Sequence, residues 1–285
     1  MNRDCAVHSF YTYSSRVKVQ CAGHRKYRVR HESTMNQFYP VQRQPMAPPP
    51  RSSSGAMRSE TQRDGALAAR FLDFVRDGSF PCVGSKAALA RGAIQTHEFG
   101  PLGTRANDAP LLDRLSAFAG MVDATDQAST TVHSFVALFE GPPATDEPRF
   151  EALLWSQLQR LYELDLHRGT RWASDVSTDP NSAKFSLSLA GHPFFVIGLH
   201  PGASRFARRF AYPTLVFNSH RQFEQLRADG RYQKMQVATR ERDTALQGSI
   251  NPNLADFGAA AEARQYSGRK VGSDWQCPFR IRAPH

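Results

Sequence analysis

The side chains best suited to chemistry concentrate in the segment 192–217, HPFFVIGLHPGASRFARRFAYPTLVF. His200 directly follows an apolar run, 194–199, whose aromatic and β-branched residues predict a buried strand. Three arginines follow on a predicted helical turn: Arg205, Arg208 and Arg209. An imidazole can bind a metal, and guanidinium groups can clamp carboxylates or phosphates. The segment therefore predicts a site for a flat, anionic or metal-bearing ligand, which the residues alone do not name.

Each of these residues also has a structural interpretation. His200 could bond a backbone carbonyl, and the three arginines could form a solvated helix face. His192 and His220 flank the same pair of predicted strands, and three histidines around one strand pair favour a metal role. They lack the i, i+4 spacing of a local zinc site, so the signal remains modest.

The cysteines add a second candidate ligand. Cys82 follows Pro81 directly before a predicted helix, where a thiol can have a low pKa. The alternative is a buried thiol that acts as a small apolar side chain. Cys277 precedes Pro278 and is compatible with a haem–thiolate contact. The four cysteines, at positions 5, 21, 82 and 277, show no CxxC spacing, so free thiols are expected.

The C-terminal segment 249–285 has little periodicity and contains acidic, basic and aromatic residues. It carries Asp256, Glu262, Arg264 and Tyr266, which together could hold a cationic substrate. The alternative is a network of side chains that pins an irregular chain end. A long irregular segment is unusual in a compact domain unless it wraps a site.

The elements that must position these residues form a pattern of alternating helices and strands. Strands are predicted near 132–139, 185–189, 194–199 and 213–217, and residues 92–110 are predicted to be a loop. Predicted helices span 58–77, 85–92, 111–122 and 147–165, and another starts after Ser219 and breaks at Gly230. Short turns between the middle strands favour an α+β fold with a mostly antiparallel sheet, flanked by helices and followed by a long irregular C-terminal segment.

Charge and composition divide the 285-residue chain into two parts. The first 60 residues hold ten Lys and Arg against three acids, which accounts for most of the net charge of +10. We therefore predict a disordered basic tail and linker, 1–58, and a single α+β domain, 59–285. Because the excess charge is confined to the tail, it is weak support for nucleic-acid binding. No apolar run is long enough for a membrane helix and no secretory signal is visible, so we expect a soluble cytoplasmic protein without a membrane partner.

Standard motifs for nucleotide binding, zinc proteolysis, hydrolysis and c-type haem attachment are absent from the sequence. Five segments instead resemble the bacterial YqcI/YcgG family over residues 65–282. They are FPCVGSKAAL (80–89), HPFFVIGLHPGASRFARRFAYPTLVFN (192–218), QFEQLRADGRYQKM (222–235), RDTALQGSINPNLADFG (242–258) and EARQYSGRKVGSDWQCPF (262–279).

This resemblance implies a chemistry, because members of the family include haem-dependent N-oxygenases that hydroxylate guanidino nitrogens of arginine or related amino acids. It implies b-type haem (haem b), dioxygen or peroxide, an electron donor and a small amino-acid substrate. Whether the protein forms a homodimer is left undecided, and no nucleic-acid partner is expected. The alternatives are a haem-binding sensor or carrier without turnover, and a basic nucleic-acid-associated protein.

Site roles follow from the resemblance as expectations. His200 is expected to be the axial iron ligand, with Cys82 as the alternative. The cofactor site is expected to include a further set of residues: His192, His220, Arg205, Arg208 and Arg209, with the arginines on the haem propionates. The substrate is expected to contact Asp256, Glu262, Arg264 and Tyr266, with the two carboxylates on its guanidinium.

Overall fold

The computed structural model describes residues 65–125, 131–143, 145–249 and 261–282, all within one compact unit, Ala56–His285. The predicted tail, 1–58, and the candidate substrate residue Asp256 lie outside these described residues. None of the helices in the described ranges is both long and apolar enough to cross a bilayer.

A five-stranded mixed sheet forms the centre of the described fold. Its strands are β1 (Ile94–Phe99), β2 (Ser134–Phe139), β3 (Leu187–Leu189), β4 (His192–Leu199) and β5 (Thr214–Ser219). The spatial order is β1-β2-β5-β4-β3. Strands β1 and β2 are parallel, and the other neighbours are antiparallel. The predicted α+β class with a mostly antiparallel sheet is therefore confirmed.

Strand β1 corrects the prediction that residues 92–110 form a loop. Its sequence, IQTHEF, has no apolar run, and all six residues are only partly buried. Pairing with β2 satisfies its backbone, from Ile94 opposite Ser134 to Phe99 opposite Phe139. A half-buried edge strand of this kind gains its stability from backbone pairing, so its side chains need not show strand periodicity.

The helices of the described chain cover both faces of the sheet. They are α1 (Ala66–Arg76), α2 (Val83–Ala90), α3 (Asp108–Asp123), α4 (Glu147–His167), α5 (His220–Ala228) and α6 (Arg231–Gln247). The Ser219 hydroxyl caps α5 by accepting from the Gln222 N–H, and Gly230 separates α5 from α6 with a φ of 74°. These two features were predicted. Helix α2 differs, because it begins at Val83 with Cys82 as its N-cap, whereas the predicted helix began at residue 85.

Alternation along the strands assigns each side chain to one of two faces. On the first, here called the α4 face, Phe135, Phe194 and Phe217 pack against α3, α4 and the segment 261–282. On the second, the α1 face, Val136 and Leu199 pack against the apolar side of α1. Because successive strand residues point to opposite faces, the parity of a position decides which face its side chain reaches.

Gly198 of β4 lies close against α4. A Cβ added at Gly198 would lie 2.6 Å from Phe150 Cε1 and 2.9 Å from Leu154 Cδ1. We expect Gly198→Ala to lower the free energy of unfolding by about 1–3 kcal/mol, because a well-packed interior cannot accept an extra methyl group without strain. Chemical denaturation measures the change.

Gly120→Ala is the matched control for this substitution. Gly120 lies in α3, and a Cβ added there would meet nothing within 4 Å. Alanine should stabilise this helix by about 0.5–1 kcal/mol. Equal effects of the two alanines would contradict the close contact between β4 and α4.

Candidate functional site

A cavity of about 170 Å³ lies on the α1 face, between the sheet and helices α1, α2 and α6. Strand residues such as Val136, Ile197 and Val216 form its apolar floor, and Phe71 and Val75 of α1 form one wall. The polar side chains at its border include Cys82, Arg205, Arg208, Asn218, Arg240 and Asp243. A mostly apolar enclosure with a few polar groups is typical of a small-molecule site.

Of the residues that the structure describes, Cys82 supplies the only sulfur at the border of this cavity. Its Sγ accepts a hydrogen bond of 3.4 Å from the Ser85 N–H at the start of α2. The Val83 N–H donates to Thr239 Oγ1 at 3.3 Å, which ties the start of α2 to α6. Cys82 forms no disulfide and is half-buried. A cysteine sulfur is a common metal ligand, so Cys82 is a candidate ligand at this cavity.

Arg208 places a positive charge beside the cavity. Its Nη1 donates to Gly198 O at 3.0 Å and to Tyr266 O at 3.4 Å, and its Nη2 donates to Gln265 O at 3.2 Å. Desolvation lowers the pKa of this guanidinium to about 10, while the nearby Asp243 and Cys82 act in the opposite direction. Among the described residues, no carboxylate pairs with it. Such a cation is suited to an anionic group on a ligand.

Arg205 also borders the cavity, but its charge is already balanced. It forms an ion pair with Asp243 Oδ2, and its guanidinium donates to Ser249 Oγ at 3.1 Å and to Ser249 O at 2.9 Å. Arg205 and Asp243 are both more than nine-tenths buried. The other carboxylate oxygen, Asp243 Oδ1, is buried and has no hydrogen-bond partner in the described part of the chain.

Arg209, the third predicted arginine, does not line this cavity. Its Nε donates to Ala203 O at 2.9 Å, and its guanidinium lies 4.6 Å from the ring centroid of the exposed Phe206. It borders a neighbouring surface groove, which shares Phe80, Pro81 and Ala207 with the cavity. The structure thus brings Arg205 and Arg208 together and directs Arg209 elsewhere.

His200 lies on the opposite face of the sheet from the cavity. Leu199 lines the cavity, and His200, one residue later, stacks on Phe150 of α4 with ring centroids 4.3 Å apart. Only 1% of His200 is exposed, and burial lowers its pKa. His200 as axial ligand stays a prediction, but the cavity described above is lined by Cys82 instead.

The two other predicted histidines are held by neighbouring polar groups. His192 lies 3.0 Å from Asp123 Oδ1 through Nδ1 and 2.9 Å from Ser219 Oγ through Nε2, so both ring nitrogens are occupied. His220 lies 3.3 Å from a carboxylate oxygen of Glu224. Neither histidine lines the cavity. The described residues contain no cluster of three or more His, Cys, Asp or Glu that could hold a metal ion.

The described members of the predicted substrate set stabilise the C-terminal segment. The Tyr266 hydroxyl donates to Phe194 O at 3.0 Å and accepts from Leu187 N–H at 3.2 Å, which bridges β3 and β4. Arg264 donates to Gly272 O and stacks on the ring of Trp275. Glu262 is buried beside His220. None of the three lines the cavity, so their role in substrate binding stays a prediction.

Glu151 and Asp243 are two buried acids that the sequence reasoning missed. Glu151 accepts hydrogen bonds from the Ser267 hydroxyl at 3.1 Å, from Trp275 Nε1 at 3.2 Å and from Arg269 Nε at 2.7 Å. A signal was available, because Glu151 lies four and seven residues before Trp155 and Leu158 on the buried stripe of α4. Asp243 gave no such signal, because it is the only buried residue of α6.

Comparison with known protein families gives one match, which covers residues 71–280 and therefore every residue that lines the cavity. The chain belongs to the YqcI/YcgG family. This confirms the resemblance that the sequence segments indicated. Comparisons of this YqcI/YcgG chain with curated proteins and with solved structures gave no match.

Proposed function

We propose that this protein is a haem-dependent N-oxygenase that hydroxylates a guanidino or amino nitrogen of arginine or a related amino acid in the cytoplasm. Family membership supports the proposal through the resemblance described above. One structural observation carries it further. A free thiol at a helix start and a guanidinium that has no carboxylate partner in the described ranges border the same apolar cavity.

The donor set of the cavity fits the chemical needs of haem. Haem requires an axial donor, positive charge for its propionates and apolar surface for its ring. Cys82 would provide the donor, Arg208 would provide positive charge, and the strand residues would provide the apolar surface. Arg205 contributes less than expected, because Asp243 already balances its charge.

Accommodation of the cofactor requires the cavity to widen. Its volume of about 170 Å³ is below the roughly 300–1,000 Å³ of typical ligand pockets. The shared border with the neighbouring groove, at Phe80, Pro81 and Ala207, is the place where the cavity could open.

The protein groups would each have a defined task. Cys82 would hold the haem iron through its sulfur, and the apolar strand residues would exclude water from the reacting groups. Arg208 holds an anionic ligand group by charge. Bound haem would supply the activation of dioxygen or peroxide. Reduction of the haem iron would require an external electron donor.

A visible absorption spectrum of the purified protein, recorded before and after addition of haem, tests the proposal. We expect a Soret band whose intensity saturates at a defined haem-to-protein ratio, because one axial ligand and one cavity define one site. Absence of a saturable Soret band would exclude the haem function. With the loaded protein, formation of an N-hydroxylated product from L-arginine and a reductant separates an oxygenase from a haem sensor or carrier.

A further inference from the structure

The polar end of the cavity contains a carboxylate with only one of its two oxygens paired. Asp243 borders the cavity from α6, and 8% of the residue is exposed. Its Oδ2 pairs with Arg205, whereas its Oδ1 is buried and has no hydrogen-bond partner among the described residues. Buried carboxylate oxygens in folded proteins nearly always accept hydrogen bonds. The described chain therefore leaves an acceptor for a donor that comes from outside it.

Arg205 fixes the direction of this acceptor. Two hydrogen bonds from its guanidinium to Ser249 hold Arg205 in place, and its ion pair holds the Asp243 carboxylate. A carboxylate held through one oxygen presents the other in a defined orientation, which lowers the entropic cost of binding a donor.

The charges around Asp243 define the donor. Arg205 balances the negative charge of Asp243, and Arg208 has no carboxylate partner among the described residues. A ligand with an anionic group for Arg208 and an N–H donor for Asp243 Oδ1 therefore suits this end of the cavity. A guanidinium suits it better than an ammonium, because its planar N–H groups match a carboxylate and its weaker hydration makes entry into an apolar cavity easier.

We propose that Asp243 binds the guanidinium of the substrate through Oδ1, and this inference rests on the proposed function of the cavity. It assigns the substrate contact to α6 rather than to the C-terminal segment. Asp243 thereby becomes the residue that distinguishes a guanidino substrate from an uncharged analogue of the same shape.

Titration calorimetry with L-arginine and L-citrulline, which differ at the guanidinium, tests this assignment on the haem-loaded protein. We expect the wild-type protein to bind arginine at least about 10-fold more tightly than citrulline, because citrulline keeps N–H donors but lacks the positive charge that strengthens a hydrogen bond to a carboxylate. In Asp243→Asn the affinity for arginine should fall by at least about 10-fold, while the affinity for citrulline changes little.

Asp108→Asn provides the matched control. Asp108 is also a largely buried acid paired with an arginine, Arg160, but it packs between α3 and α4. The substitution Asp108→Asn should leave the affinity for arginine unchanged. Equal arginine affinities of wild-type protein and Asp243→Asn would overturn the assignment. If Asp243→Asn does not fold, the comparison of the two ligands on the wild-type protein still tests the assignment. Equal affinities of the wild-type protein for arginine and citrulline would overturn the role of Asp243.

The visible spectrum of the same samples separates this inference from the proposed function. A haem-loaded protein that does not prefer arginine would overturn only the role of Asp243. A protein that binds no haem, but loses its preference for arginine in Asp243→Asn, would overturn the oxygenase proposal and support the binding role.

Discussion

Replacement of Cys82 by serine is expected to abolish the thiolate-type ferrous–CO absorption band of the haem-loaded protein and to release most of the haem. Among the described residues, Cys82 is the only sulfur that borders the cavity, and its Sγ accepts a hydrogen bond from the Ser85 N–H at the start of α2. A serine hydroxyl keeps the size and the capping position but is a poor iron ligand. The ferrous–CO spectrum and the haem content after gel filtration measure the effect.

Two variants control for the identity of the ligand. Cys277→Ser should retain the band, because Cys277 is buried with Phe279 on the α4 face and burial raises the pKa of its thiol to about 11. His200→Gln tests the ligand that the sequence favoured. Loss of haem in His200→Gln, together with an unchanged ferrous–CO spectrum and haem content in Cys82→Ser, would assign the iron to His200 and contradict the cavity-based choice.

Strand parity explains why the sequence pointed to His200. The apolar run 194–199 correctly predicted β4, and His200 directly follows it. The apolar run 194–199 does not show on which face of the sheet the site lies, because β4 is covered on both sides. His200 is in phase with Phe194, Val196 and Gly198, which pack towards α4. The position of the cavity depends on how α1, α2 and α6 pack, and this information is absent from β4 itself.

The side chains of the three arginines reach different places because of the local helix geometry. Phe206–Arg208 form a 3-10 helix, which has about three residues per turn. Arg205 and Arg208 are three residues apart, and both border the cavity, whereas Arg209 follows directly and points to the surface groove. The sequence predicted a cluster of guanidinium groups, but it did not predict this short helix or the pairing of Arg205 with Asp243.

The C-terminal segment was interpreted either as a substrate loop or as a pinned chain end, and its described contacts favour the second. Tyr266 bridges β3 and β4, and Glu151 accepts hydrogen bonds from several side chains of the segment. The segment still affects the site, because the carbonyls of Gln265 and Tyr266 hold Arg208. These tertiary contacts join residues more than 50 positions apart, so no local pattern could reveal them.

Replacement of Glu151 by alanine is expected to lower the free energy of unfolding by about 3 kcal/mol. Only 7% of Glu151 is exposed, and its carboxylate accepts hydrogen bonds from Ser267, Arg269 and Trp275. Removal of one partner from a buried ion pair typically costs about 3–5 kcal/mol, and we expect the lower end because Arg269 retains some contact with solvent. Denaturant unfolding measures this loss.

Glu163→Ala separates the buried contact from a general loss of charge on α4. Glu163 lies on the same helix and also contacts the C-terminal segment, through Arg282 Nε at 3.3 Å, but both side chains are exposed enough for solvent to screen the pair. Its removal should cost less than about 1 kcal/mol. Because Glu151 holds the segment whose carbonyls orient Arg208, Glu151→Ala should also weaken haem retention, whereas Glu163→Ala should not. Equal losses of stability in the two variants would show that Glu151 does not anchor the segment.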